Sequence, residues 1–112
     1  MIRIKRVYSE PEAEDGIRIL VDRLWPRGVA KEAARIDEWC KEIAPSNELR
    51  QWFGHDPARW DEFRGRYRQE LAGHEDILTR LRNIAQKGAV TLLYAAKDEE
   101  HNNAVVLKEL IE

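Results

Sequence analysis

Two nearly unbroken apolar runs constrain this chain more than any other feature. Residues 17–23 (IRILVDR) open with Ile17, Ile19, Leu20 and Val21, and residues 89–96 (AVTLLYAA) carry little that is polar beyond Thr91. A strand with one wet face alternates apolar and polar side chains. A continuous run of this length, bounded by turn residues, reads as a strand buried on both faces, the situation of a parallel sheet. Both runs stop abruptly. The first gives way to Asp22, Arg23, Leu24, Trp25, Pro26, Arg27 and Gly28, the second to Lys97 and Asp98.

The rest of the chain supplies one more strand and several helices. Ile2, Ile4, Val7 and Tyr8 are interleaved with Arg3, Lys5 and Arg6, the alternation of a half-buried strand. The following acidic stretch, residues 9–16 (SEPEAEDG), reads as a loop. It is shorter than the dozen or so residues that a parallel crossover usually takes. The first two strands are therefore either a hairpin or joined by an unusually tight connection. Beyond Gly28, Ile36, Trp39, Cys40 and Ile43 fall at helical spacing. Ser46 then has the position of an N-cap for a helix over Asn47–Phe53, its hydroxyl satisfying a first-turn N–H. Asp56 followed by Pro57 repeats this start signal, opening a helix with Trp60, Phe63, Tyr67 and Leu71 on one stripe and Gly73 at its end. Glu75–Lys87 forms a further helix with Ile77, Leu78, Leu81, Ile84 and Ala85 inward and Gly88 after it, and Asn103–Ile111 forms the last.

The resulting order is strand, strand, several helices, strand, helix, with no internal repeat or linker. It predicts a single α/β domain over residues 1–112, a small three-layer, Rossmann-like arrangement with a mainly parallel sheet and helices on both faces. The second and third strands should be parallel neighbours or share a sheet edge, because the long helical segment between them suits a crossover.

Composition removes several function classes. The chain has 112 residues, too few for two cores, and with 43% apolar and 36% charged residues it has no disordered bias. Its net charge of −2 argues against a strongly basic nucleic-acid binder. One cysteine, Cys40, excludes an internal disulfide framework and a multi-cysteine zinc site, and its expected place is the core. The N-terminal MIRIKRVYSE lacks an apolar signal-peptide core, and no apolar run approaches membrane-spanning length, so the expected location is cytoplasmic, without membrane partners. No dinucleotide fingerprint, phosphate loop, metal pattern or serine triad is present, and no cofactor or metal is expected.

Taken together, RVYSEPEAEDGIRILVDRLWPRGV, APSNELRQWFGHDP, WDEFRGRYRQEL and VTLLYAAKDEEHNNAVVL resemble the short, YeaO-like branch of the DUF488 family, in the right order and over nearly the whole chain. The resemblance implies a compact α/β domain of bacterial and archaeal type without an established activity. Longer members carry a Val-Asp-Val-Arg segment after one strand and cysteine- and histidine-containing motifs after a later one. Val21-Asp22-Arg23 partly matches the first. The later strand here ends in Tyr94-Ala95-Ala96-Lys97-Asp98 with no cysteine and only His101 nearby, so cysteine chemistry does not carry over.

The candidate site lies where the two buried strands end. Open α/β sheets bind ligands beyond the carboxyl ends of their strands. Guanidinium groups grip phosphate or carboxylate with paired hydrogen bonds, so Arg23 and Arg27 are candidate anion ligands, with Asp22 to orient a substrate or accept a proton. The alternative is an internal Asp–Arg pair tying the loop to the sheet. Trp25 could stack on a ring or simply pack. Lys97, Asp98, His101 and Asn102 stand at the start of the last helix, where N–H groups and the dipole favour an anion, although Asp98 or Asn102 could merely cap it. Lys97 opposes that dipole and is better explained by an anion. Arg50, one turn into its helix, could add a further anion contact. If the protein is an enzyme, Asp22 or Asp98 is the general base, while Arg23, Trp25, Arg27, Arg50, Lys97, His101 and Asn102 bind the substrate. The substrate would be an anionic small molecule, phosphate- or nucleotide-like, or a nucleic-acid fragment. The competing reading is a non-catalytic module that binds nucleic acid or protein. His55 and His74 have no metal-ligand spacing and read as surface residues.

Overall fold

The computed structural model describes residues 2–112. Four strands form one all-parallel sheet: β1 (Ile2–Arg6), β2 (Ile17–Leu20), β3 (Glu38–Trp39) and β4 (Val90–Tyr94), in the spatial order β1-β4-β2-β3. The two apolar runs are thus the central pair, with Ile17 opposite Val90 and Leu20 opposite Leu93. Their continuous hydrophobicity follows from that placement, since each is covered on both faces.

Five helices complete the domain: α1 (Lys31–Ala34), α2 (Asn47–Phe53), α3 (Trp60–Leu71), α4 (Glu75–Lys87) and α5 (Asn103–Ile111). Their distribution between the two faces is unequal. Ile2, Ile19, Val21, Val90, Leu92 and Tyr94 point to one side and pack against Phe53 of α2, Phe63, Tyr67 and Leu71 of α3, Leu78 and Leu81 of α4, and Leu107 of α5. On the other side Val7, Leu20 and Leu93 meet only Ala34, Ile36 and the loop residues Trp25, Val29 and Ala95. That thin second layer consists of the single-turn α1, the loops and residues 9–16.

The β1–β2 connection is the tight one. Residues 9–16 return across β4 through a 3-10 turn, Ala13–Asp15, so that β2 runs parallel to β1 on the far side of β4. Gly16 makes this path accessible. Its φ is +64°, and a Cβ there would stand 2.1 Å from the Ala89 carbonyl oxygen. Asp15 clamps the connection to the sheet. Its carbonyl accepts the Thr91 hydroxyl at 2.8 Å, and its carboxylate takes Lys5 Nζ at 3.1 Å and Arg18 Nη1 at 2.5 Å.

Helix starts follow their capping chemistry. Ser46 Oγ accepts the Leu49 N–H at 3.2 Å and donates to Glu70 Oε2 at 2.6 Å, which locks α2 to α3. Asp56 accepts the Ala58 N–H at 3.0 Å, with Pro57 first in the 3-10 turn that leads into α3. Gly73 closes no left-handed cap. It lies in a further 3-10 turn, Ala72–His74, that joins α3 directly to α4.

One segment departs from its periodicity. Ile36, Trp39, Cys40 and Ile43 do not share a helix face. Arg35 ends α1 in the left-handed region with φ of 51°, and the chain then extends into β3. Pairing with β2 outweighs the local pattern: Asp37 N–H donates to the Arg18 carbonyl at 2.9 Å and Cys40 N–H to the Leu20 carbonyl at 2.8 Å. Ile36 falls on the thin side of the sheet and Ile43 on the helical side, while Trp39 is left at the surface. Arg80 of α4 grips Glu38 through both oxygens, at 3.0 and 2.5 Å, and holds this short edge strand in place. Among the described residues no helix is long and apolar enough to cross a membrane.

Candidate functional site

Because β2 and β4 are parallel neighbours, residues 22–28 and 95–103 leave the sheet at the same edge. They surround an open cavity of about 710 Å³, within the range of small-molecule sites. Asp22, Arg23, Trp25, Arg27, Arg50, Lys97, Asp98 and Asn102 all line it. His101 does not. It stands behind the wall, edge-on to Trp60 with ring centroids 5.2 Å apart.

Asp22 occupies the junction between the two central strands. Its Oδ2 accepts the Ala95 N–H at 2.9 Å, bridging the ends of β2 and β4. Burial pushes its pKa above the ordinary aspartate value, against the opposing pull of the Ala95 N–H, the Asn103 amide, His55 and Arg50. The Asn103 amide, which also donates to the Val21 carbonyl at 2.9 Å, stands beside it. Behind it, the fully buried Tyr67 donates its hydroxyl to the Ile43 carbonyl at 2.6 Å.

The loop after β2 is fixed at several points. Trp39 Nε1 donates to the Asp22 carbonyl at 2.8 Å, Trp25 Nε1 to the Val29 carbonyl at 2.8 Å, and the Tyr8 hydroxyl to the Arg27 carbonyl at 3.0 Å. Trp25 meets Trp39 edge-on, centroids 5.3 Å apart, and is half-buried rather than a free stacking surface. Arg23 uses its guanidinium within the protein. Nε donates to the Pro45 carbonyl at 3.2 Å and Nη2 to that of Ala44 at 3.5 Å, so it braces the loop against the chain before α2 without pairing to Asp22.

The remaining cations behave differently. Among the described residues, the side chains of Arg27, Arg50 and Lys97 form no ion pair and donate no hydrogen bond. Arg27 and Lys97 are exposed at the mouth, whereas Arg50 lies deeper, with its Nε buried and without a partner. Asp98 is committed to the turn before α5. Its Oδ1 accepts the Glu100 and His101 N–H groups at 2.9 and 3.0 Å, and Oδ2 faces His101 Nδ1 at 2.9 Å. The Glu100 N–H and the His101 ring hold this carboxyl below its ordinary pKa. Asn102 is the N-cap of α5, its Oδ1 accepting the Val105 N–H at 3.2 Å.

Several lining residues fall outside the set singled out in the sequence, Asn103, Phe53, Phe63 and His55 among them. Asn103 follows a capping asparagine and looks like an ordinary first-turn residue. Phe53 and Phe63 sit on helical stripes that read as core, and they are core residues whose rings, 4.3 Å apart, also form a wall of the cavity. His55 looks like surface. It is exposed, but it follows Gly54 with φ of +58°, and that backbone turns it to the cavity rim. No group of three His, Cys, Asp or Glu side chains able to hold a metal ion occurs among the described residues.

The chain belongs to the DUF488 family. The family model described as the inactive DUF488-N3 subclade matches residues 1–112. The chain is 51% identical over 108 residues to the uncharacterized protein YeaO of Escherichia coli (strain K12), covering 96% of this chain and 94% of that one. It is 42% identical over 111 residues to the uncharacterized protein Rv3073c of Mycobacterium tuberculosis (strain H37Rv), covering 98% of this chain and 92% of the relative. No solved structure matches the chain.

Proposed function

We propose that this protein is a ligand-binding domain that takes an anionic, phosphate-bearing small molecule into the cavity at the carboxyl edge of its sheet and holds it without turning it over. The observation that carries this reading is the set of cations. Arg27, Arg50 and Lys97 converge on one cavity with no carboxylate neutralising any of them at ion-pair distance among the described residues. Elsewhere many basic side chains on this acidic-leaning chain pair with carboxylates, as in Arg80–Glu38 and Arg64–Glu109. Like charges gathered with no ion-pair partner at close range favour an anion that completes them. Arg27 and Lys97 at the mouth would contact the anion, and Arg50 adds positive potential within.

Binding is preferred over catalysis because of what the carboxylates do. Asp98, one candidate base, has both oxygens engaged in the turn before α5. That leaves Asp22, with no nucleophile or metal cluster beside it among the described residues. The description of the matched subclade as inactive agrees with a pocket that retains recognition without chemistry. A docking surface for nucleic acid or protein is less well supported, since Trp25 is tied inward by Val29 and Trp39.

Thermal unfolding with inorganic phosphate, nucleoside monophosphates and sugar phosphates tests the proposal. A ligand at about a hundred times its Kd adds roughly 2.7 kcal/mol of stability. The expected result is a raised Tm with at least one phosphate compound, lost in Arg27→Ala and Lys97→Ala. These exposed side chains contribute little to the unliganded fold, so the variants remain folded. No shift with any anion, or shifts that survive both substitutions, overturns it.

A further inference from the structure

Beyond the anion itself, the cavity carries a second recognition element, and we infer that it selects a guanine-type base, so that the ligand is a guanosine phosphate. This inference rests on the proposed anion-binding role of the same cavity. The relevant contrast is one of depth. The cations that reach solvent, Arg27 and Lys97, are at the mouth, while the cavity also contains a carboxylate, Asp22, drawn in between the ends of β2 and β4. A phosphate alone would be repelled by that group. A molecule that fills the whole cavity must therefore be anionic at one end and present hydrogen-bond donors at the other.

Phe53 and Phe63, although almost wholly buried, give the cavity an apolar wall against which a flat ring can pack. Among the nucleobases, the donor requirement then selects one. A carboxylate is an acceptor with room for several donors, and beyond the Ala95 N–H on Oδ2 and the Asn103 amide beside it Asp22 has lone pairs to spare. Guanine offers two adjacent donors, N1–H and the N2 amino group, matched to the two oxygens of a carboxylate. Adenine and cytosine place an unprotonated ring nitrogen beside their amino group, which a carboxylate repels, and uracil flanks its N3–H with two carbonyls. Guanine O6, next to N1, requires a donor on the same side. Arg50 also lines the cavity, close enough to Asp22 for their charges to interact, and its guanidinium makes no hydrogen bond among the described residues. Asp22 and Arg50 together thus display acceptor and donor in the complement of the guanine edge.

Titration calorimetry with GMP, IMP, AMP and inorganic phosphate on the wild type and Asp22→Asn tests the assignment. On the wild type GMP should bind about tenfold or more tightly than AMP, the scale of a bidentate base contact. IMP, which keeps N1–H but lacks the amino group, should fall between them. In Asp22→Asn the preference for GMP over AMP should collapse, while inorganic phosphate binds more tightly because a negative charge has been removed. Equal GMP and AMP affinity on the wild type overturns the inference but leaves the anion-binding reading standing. A GMP preference that survives Asp22→Asn removes Asp22 from the role. Failure of all four ligands overturns this inference, and the anion-binding reading falls with it only if sugar phosphates also fail to bind; the wild-type series alone decides the base preference should the variant not fold.

Discussion

Asp15 and Arg18 form an ion pair of 2.5 Å from which water is excluded, their side chains being 0% and 3% exposed. The pair spans only three residues, yet it fastens the whole β1–β2 connection. Arg3, Thr91 and Arg18 make one cross-strand row over β1, β4 and β2, and Asp15 contacts each of them through its carboxylate or its carbonyl. Lys5, one row along, adds a further contact at 3.1 Å. A chain segment too short for a helical crossover is thereby held flat against a sheet face that few apolar groups cover.

Removing Asp15 leaves Arg18 buried and uncompensated, a loss of about 3–5 kcal/mol. Asp15→Ala should therefore lower the urea midpoint strongly. The pH dependence has a definite sign. Burial works against the Asp15 carboxylate, but the Glu12 N–H, Lys5 and Arg18 outweigh it and leave the pKa below the ordinary value. The group therefore contributes stability above its unfolded pKa of about 3.9, lost as pH falls toward the folded value. A wild-type advantage over Asp15→Ala that persists undiminished in strong acid contradicts this account.

Gly16 is the other requirement of that connection. A Cβ would meet the Ala89 carbonyl carbon at 2.6 Å and its oxygen at 2.1 Å, and the residue has positive φ. Backbone on both sides of the contact cannot rotate away. Gly16→Ala should cost at least about 2 kcal/mol, more than left-handed strain alone. A midpoint within error of wild type would mean that the connection can lift off β4.

Cys40 tests the floor of the core beside β3. Burial first, then the charge of Glu38, pushes its thiol up to about 11, so almost no thiolate exists at neutral pH. Labelling by a thiol reagent should be slow in the native protein and should accelerate in parallel with unfolding on addition of urea. Rapid native labelling would show that β3 detaches from β2 independently of the rest.

The sequence made the central strands legible because burial on both faces leaves an unmistakable mark, and it made the helix starts legible because Ser46, Asp56 and Asn102 are strong caps. It concealed β3. Two residues of strand carry too little pattern to compete with the helical spacing of Ile36, Cys40 and Ile43, and what decides the matter is pairing with β2, a non-local contact. The site divides along the same line. Strand ends placed Asp22 and Lys97 on one edge, as the cavity has them. Whether an arginine faces a ligand or a carbonyl depends on neighbours distant in sequence. Arg23 reaches Pro45 and Ala44, while Arg27, four residues on, reaches no partner among the described residues.

Asp22 should be a residue held in place at the expense of stability. Its folded pKa is raised, chiefly by burial. The native state therefore favours the protonated carboxyl, and the contribution of this group is full below its unfolded pKa of about 3.9 and declines as pH rises through the folded value. Once ionised, the carboxylate carries that penalty. Asparagine retains an oxygen to accept the Ala95 N–H and never ionises. Asp22→Asn should accordingly be more stable than wild type at about pH 7 without ligand, and the difference should shrink as pH falls toward the unfolded pKa. This pH trend runs opposite to that of Asp15, so urea midpoints of both variants and the wild type across one pH series separate the two groups. A residue that weakens the fold while lining its one deep edge is the pattern expected where recognition, rather than packing, retains it. If Asp22→Asn is less stable than wild type at neutral pH, the carboxylate serves the fold through its bridge between β2 and β4, and its role in the cavity loses its physical support.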